Sequence, residues 1–174
     1  MPVIRHFAYG SNMLEARLRE RCSSASPIGV AVAPDWKFSF SKRSDDGSAK
    51  ATISRAKGNR VLGILFELDE RDLETLDGFE GRGKGYDRTD AFLVQTKDGT
   101  EPVRAMTYIA SKSHVSEDLQ PYDWYQQLVL AGAREHSLPQ SYVDEIAATE
   151  AMSDPWPNRP NRLKALALLS RSSN

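Results

Sequence analysis

Apolar and polar residues alternate with the period of half-buried strands along the first two thirds of the chain. They recur at helical spacing along the last third. Val3-Ile4-Arg5-His6-Phe7-Ala8-Tyr9 is mostly apolar and predicts a buried strand that Gly10-Ser11-Asn12 ends. Met13, Leu14, Ala16, Arg17 and Leu18 then read as a short helix, with Asn12 as N-cap and Glu15 completing a capping box. Residues 28–33 are apolar, and Trp36, Phe38 and Phe40 alternate with Lys37, Ser39 and Ser41. Asp45-Asp46-Gly47-Ser48 marks a turn, residues 49–55 a return strand and residues 61–68 a central strand. Asp69 is placed to cap the next helix, with Leu68 and Leu73 at the spacing of a hydrophobic staple. Leu73, Leu76 and Phe79 share one face of that helix, and Gly78 and Gly81 predict that it stops near Glu80.

Residues 86–96 and 103–110 are β-prone runs on either side of Asp98-Gly99, a strong hairpin signal. Pro102 predicts a bulge or an edge at the start of the second run. Tyr125, Leu128, Val129 and Gly132 then mark a helix, and Pro139 suits the first turn of another that carries Tyr142, Val143 and Ile146. The proline-rich segment 154–160 cannot be helical and reads as an extended strap. Residues 163–169 predict a short terminal helix whose Leu163, Leu166, Leu168 and Leu169 either cover the core, the favoured reading, or mediate a dimer, with frayed residues after it. The reading is α+β: a small antiparallel or mixed β-barrel with surrounding helices. Residues 1–150 are expected to form one domain, with 151–174 as a strap and short helix packed on it.

Composition narrows the function. A chain of 174 residues has single-domain length. Its 23 Lys+Arg against 24 Asp+Glu lack the basic excess of a protein that coats nucleic acid. Lys42, Arg43, Lys50, Arg55, Lys57 and Arg60 cluster, but Asp45 and Asp46 interleave, which suggests a solvated face. No apolar run approaches the roughly 20 residues of a membrane span, and no signal-peptide core is present, so a cytoplasmic location is expected. The single cysteine, Cys22, can form no internal disulfide and no multi-thiolate zinc site. His6, His114 and His136 show no ligand spacing, so neither a metal nor a cofactor is expected.

Few segments are left to carry chemistry. At Tyr9-Gly10-Ser11-Asn12 the glycine permits close approach of another molecule, and the helix-opening amides that follow suit a carboxylate or phosphate. A plain turn with Asn12 as cap explains the same residues. Glu80 ends an amphipathic helix, where the dipole and burial both disfavour its charged form, as a general base needs. The alternative is a solvated glutamate at a helix end. Gly81-Arg82-Gly83-Lys84-Gly85 lacks the spacing of a phosphate loop and reads as a mobile loop with two solvated charges, or as a lid over Glu80. Tyr86 and Tyr125 are either core or site wall. Ser11 does not lie in a nucleophile elbow, and Cys22 has no histidine near it in sequence.

In combination these segments resemble the γ-glutamylcyclotransferase-like family. Phe7-Ala8-Tyr9-Gly10-Ser11-Asn12-Met13 is similar to its Tyr-Gly-Ser-Asn signature, and Leu76-Asp77-Gly78-Phe79-Glu80-Gly81 to its Leu-Asp-x-x-Glu-Gly segment. Tyr125, Gly132-Ala133-Arg134-Glu135, Leu138-Pro139 and Tyr142 resemble its helical stretch. The resemblance implies a small β-barrel with a cavity at one end and cyclisation of a γ-glutamyl group to 5-oxoproline with release of the attached amine. It implies that Tyr9, Gly10, Ser11 and Asn12 bind the glutamyl moiety, that Glu80 is the acid/base, and that Tyr86 and Tyr125 line the pocket. Asn12 favours the γ-glutamyl amino acid branch. The implied partner is a small γ-glutamyl substrate, with no nucleic acid or membrane, in a monomer or homodimer. Two rivals stand beside it: a binding module for small carboxylates or peptides without turnover, and a hydrolase that yields glutamate.

Overall fold

The computed structural model describes residues 2–173. Its centre is a closed five-stranded barrel. The strands are β1 (Val3–Ala8), β2 (Ser26–Arg43), β3 (Ala49–Asp69), β4 (Tyr86–Thr96) and β5 (Val103–Ala110), in spatial order β1-β3-β2-β4-β5. Every neighbouring pair is antiparallel except the closing one, where His6 of β1 lies parallel to Met106 of β5. Closure leaves the barrel without an unpaired edge.

The runs separated in sequence at residues 34–35 and 56–60 are single long strands. A straight strand the length of β3 would span about 70 Å, far more than a small barrel. Register shifts at Pro27/Gly29, Pro34/Trp36 and Phe40/Lys42 bend the β2–β3 ribbon so that it wraps the core. Asp35 takes a left-handed backbone (φ 62°) at one of these shifts, and its carboxylate accepts the Gly58 N–H at 2.9 Å. The β4–β5 hairpin forms around Asp98-Gly99, but through a six-residue connection, 97–102. Its irregularity falls between Thr89 and Phe92, not at Pro102. Inside, Phe7 stacks on Phe92 and Phe38 meets Phe40 edge to face.

Helices close one end and one side: α1 (Glu15–Arg21), α2 (Leu73–Glu80), α3 (Asp123–Glu135), α4 (Gln140–Ala147) and α5 (Pro160–Ser172). Asn12 does not cap α1. It lies within a 3-10 turn, Ser11–Met13, and its side chain reaches α2 instead. Glu15 closes no capping box either: its N–H is taken by Glu135 Oε2 at 3.1 Å, and its carboxylate pairs with Arg19. Asp69 does act as a cap, accepting the Arg71 N–H at 3.0 Å in a 3-10 turn that leads into α2. Gly81, at φ 64°, ends α2 where expected.

Phe79 departs from the expected apolar face. Leu76 is buried, but Phe79 is 57% exposed, with the Arg21 guanidinium 5.2 Å above its ring. The Arg21 cation gives the outward ring a partner. Helix α3 is buried along most of its length between the 3-10 turn and α4 and α5. Helix α5 runs further than predicted in both directions, with Pro160 in its first turn. Its Ala165 and Leu168 face the core, whereas Leu163 and Leu166 are exposed. The strap before it is anchored by Asp154, which accepts from Trp124 Nε1, from Trp156 N and twice from Arg159. Among the described residues no helix is long and apolar enough to cross a membrane.

Candidate active site

One pocket at the end of the barrel draws on six strands and helices and the turn after β1. It is lined by the end of β1 and the following turn (His6 to Asn12), Ala51 of β3, Glu80 of α2, Tyr86 of β4, Thr107 and Tyr108 of β5, and Tyr125 of α3. It is partly open to solvent. All seven residues singled out from the sequence line it: Tyr9, Gly10, Ser11, Asn12, Glu80, Tyr86 and Tyr125.

Glu80 is not a solvated helix end. Its Oε1 accepts from Asn12 Nδ2 at 2.7 Å and from Arg21 Nη1 at 3.1 Å, and the same Arg21 nitrogen donates to Asn12 Oδ1 at 3.0 Å. The three side chains form a closed triangle that fixes the Asn12 amide and the carboxylate together. Among the described residues no donor reaches Oε2. Asp77, one helical turn before Glu80, ties α2 down by accepting from Tyr108 Oη at 2.7 Å, Arg88 Nη1 at 2.6 Å and Arg82 Nη1 at 3.1 Å. Burial pushes the Asp77 carboxyl up, but these three donors outweigh it and hold it below the usual range.

The tyrosines are fixed from behind. Tyr86 donates to the carbonyl of Ala51 at 2.6 Å, while Tyr125 accepts from its N–H at 3.1 Å, so the backbone of one residue holds both rings. Tyr9 donates to the carbonyl of Tyr108. Burial pushes all three phenols above their ordinary value, so each keeps its proton at neutral pH. Gly10 approaches Ala51 so closely that an added Cβ would lie 3.0 Å from the alanine methyl. The N–H groups of Met13 and Leu14 bond back to Gly10 and Ser11. Among the described residues those of Gly10, Ser11 and Asn12 have no protein acceptor.

The family model for the AIG2-like family matches residues 60–146. Over 150 residues, 83% of this chain and 78% of the relative, the sequence is 30% identical to the γ-glutamylcyclotransferase of Mus musculus, with the same figures for that of Homo sapiens. The chain belongs to the AIG2-like, γ-glutamylcyclotransferase-like family. A solved γ-glutamyl cyclotransferase structure, 25% identical, superposes with a TM-score of 0.85 over 98% of this chain and 99% of that one. The expected family barrel is thus the fold observed.

Sequence reasoning about this family member missed Arg17, Arg21 and Tyr108. The two arginines lie one helical turn apart on α1, directly after the Tyr9–Asn12 turn, and that spacing was the available signal. Arg17 Nε donates to Ser11 Oγ at 3.0 Å; burial and the neighbouring Arg21 lower its pKa to about 10, so it stays a cation. Cys22 is buried, its thiol is pushed up to about 12 chiefly by burial, and it donates to the carbonyl of Asp72, which leaves no nucleophile there. The glycine-rich loop is pinned rather than loose: Gly83 N–H bonds to Tyr86 O, Ser111 N–H to Gly85 O, and Arg82 pairs with Asp77. The basic cluster is not a uniformly solvated face. Lys50 is enclosed by Trp124 and Tyr125 and paired with Asp46, Lys42 lies over Tyr86, and Arg55 over Trp36.

Proposed function

We propose that this protein is a γ-glutamylcyclotransferase that converts a γ-glutamyl amino acid or amine to 5-oxoproline and the free amine, with Glu80 as the proton carrier. The observation that carries this reading is the position of Glu80. It is fixed to Asn12 of the glycine turn, with one oxygen occupied and the other open, in a pocket walled by protonated phenols.

The reaction is internal. The substrate's α-amine attacks its own γ-carbonyl carbon, a C–N bond forms, and the carbonyl oxygen takes the charge. The old amide C–N bond then breaks and the carbonyl re-forms. Two protons must pass from the attacking nitrogen to the departing one, and Glu80 Oε2 takes and returns each in turn. Nucleophile and electrophile share one molecule, so the pocket's main task is to hold the reactive rotamer, which supplies effective molarities of about 10⁵–10⁸ M. An ordinary carboxyl lies roughly 4 units below an α-amine, so the first proton transfer is uphill by about 5 kcal/mol. The carrier's work lies in that step, and it adds typically about 10²–10⁴-fold.

The unpaired amides of Gly10 to Asn12, beside the cations of Arg17 and Arg21, suit the substrate's α-carboxylate. The Tyr125 hydroxyl accepts from Ala51 and so keeps its own proton for the developing oxyanion, whereas the Tyr86 proton is committed to Ala51 O. The test is incubation with γ-glutamyl amino acids, γ-glutamylamines and glutathione, with identification of the product. 5-Oxoproline plus free amine is expected. Glutamate as the product, or no turnover on any of them, would overturn the reading.

A further inference from the structure

His6 is left unused by this chemistry. It projects from β1 with 2% of its surface exposed and lines the same pocket as Glu80 and the glycine turn. Its Nδ1 lies 3.3 Å from the carbonyl of Met106, which fixes the tautomer: Nδ1 carries the proton and donates. The ring meets Tyr108 edge to face at 5.9 Å, which fixes its plane. Nε2 is therefore a lone-pair acceptor, and it is fully buried with no donor among the described residues. Buried polar atoms are nearly always paired, so an unpaired one on a pocket wall marks a place for a ligand's donor.

The identity of that donor follows from the chemistry. His6 and Glu80 line the same pocket, and among the described residues neither Nε2 nor Glu80 Oε2 has a protein donor. A carboxylate offers them nothing, while an ammonium with three N–H groups serves both. We propose that His6 Nε2 accepts a hydrogen bond from the α-ammonium of the γ-glutamyl ligand, making His6 a positioning residue that selects ligands with a free α-amine. The inference rests on the proposed reaction, since it takes its ligand from there. Burial lowers His6 to about 4, so the ring is neutral at working pH and its lone pair is available.

The test uses the Glu80→Gln variant, expected to bind without turning over, and two ligands that differ only in the amine: γ-glutamyl-alanine and N-glutaryl-alanine. The amine-bearing ligand should bind about ten- to a hundredfold more tightly, as expected for a hydrogen bond to a charged group. Adding His6→Phe, which keeps a ring against Tyr108, should bring that ratio close to one and leave N-glutaryl-alanine unchanged. As a check independent of the substitution, the ¹⁵N resonance of His6 Nε2 should shift on saturation with γ-glutamyl-alanine and stay still with the glutaryl ligand. An unaltered ratio, or an Nε2 resonance indifferent to the amine, overturns the role of His6 while leaving the cyclisation reading intact. If neither ligand binds and the wild type makes no 5-oxoproline, the reading beneath it fails and the inference fails with it.

Discussion

Gly132 sits where α3 crosses the turn that holds Asn12. A Cβ added there would lie 2.5 Å from Leu14 N and 2.7 Å from both Met13 C and Met13 Cβ. Two of these are backbone atoms, so no side-chain rotation relieves the overlap, and the turn must retreat by roughly 0.8 Å to restore ordinary contact. Asn12 precedes those atoms and stands 2.7 Å from Glu80. A retreat of that size takes the bond to about 3.5 Å, beyond useful hydrogen-bond length. Two effects on stability oppose each other. Gly→Ala inside a helix gains about 1 kcal/mol from propensity, and overpacking costs typically about 1–3 kcal/mol. The Gly132→Ala variant should therefore lose roughly 1 kcal/mol in urea unfolding, a modest change. Activity should suffer far more, since a misplacement of about 1 Å in a catalytic geometry costs on the order of 10²-fold. The assay pairs urea unfolding with 5-oxoproline formation. A variant more stable by about 1 kcal/mol with wild-type turnover would show that α3 does not set the turn.

Asp154→Asn removes the charge that holds Arg159 and the strap; Asp154 lies at about 2 because of its hydrogen bonds from Arg159. Asn keeps an acceptor but loses the charge, so chemical unfolding should show a measurable loss of stability; an unchanged midpoint would mean that the strap contributes little. His6 gives a pH signature. Its folded value, about 4 through burial, lies below the ordinary 6.5, so the unfolded chain takes up a proton between those limits and the folded one does not. Stability should thus fall as pH drops from 6.5 to 4, by about 3 kcal/mol from this group at 1.36 kcal/mol per unit. The His6→Phe variant should lack that component in denaturant titrations across the range; an identical slope in both proteins would contradict the assignment.

The sequence carried the strand-forming runs and the limits of α2 because these depend on local spacing. The alternation of Trp36, Phe38 and Phe40, the Asp69 cap and the stop at Gly81 all read correctly. Barrel closure was less legible, because it joins His6 to Met106, a hundred residues apart, and no local pattern encodes that pairing. The continuity of β2 and β3 was hidden by Pro34 and Gly58, which look like breaks but sit at bends of one ribbon. At the site, the residue types of the glycine turn and Glu80 were visible, but their wiring was not. Asn12 offers a cap in sequence, and only the packing of α2 against α1 turns its amide toward Glu80. Phe79 was misassigned because helical spacing does not say that Arg21 will cover an outward ring. His6 was set aside for want of a second metal ligand; the informative property, a buried lone pair without a donor, exists only in three dimensions.

Everything in the chemical account runs through the Glu80 carboxyl, and one comparison examines it without intermediaries. Purified wild type and Glu80→Gln would be given the best γ-glutamyl amino acid from the panel, with 5-oxoproline followed by chromatography and ligand affinity by calorimetry. Loss of a positioned acid/base should slow product formation at saturating ligand by about 10²–10⁴-fold, a loss that calorimetry separates from the weaker binding expected once the Oε2 acceptor facing the ammonium is replaced. Product formation within a few-fold of wild type would contradict the assignment and move the proton-carrying role to another group in the pocket.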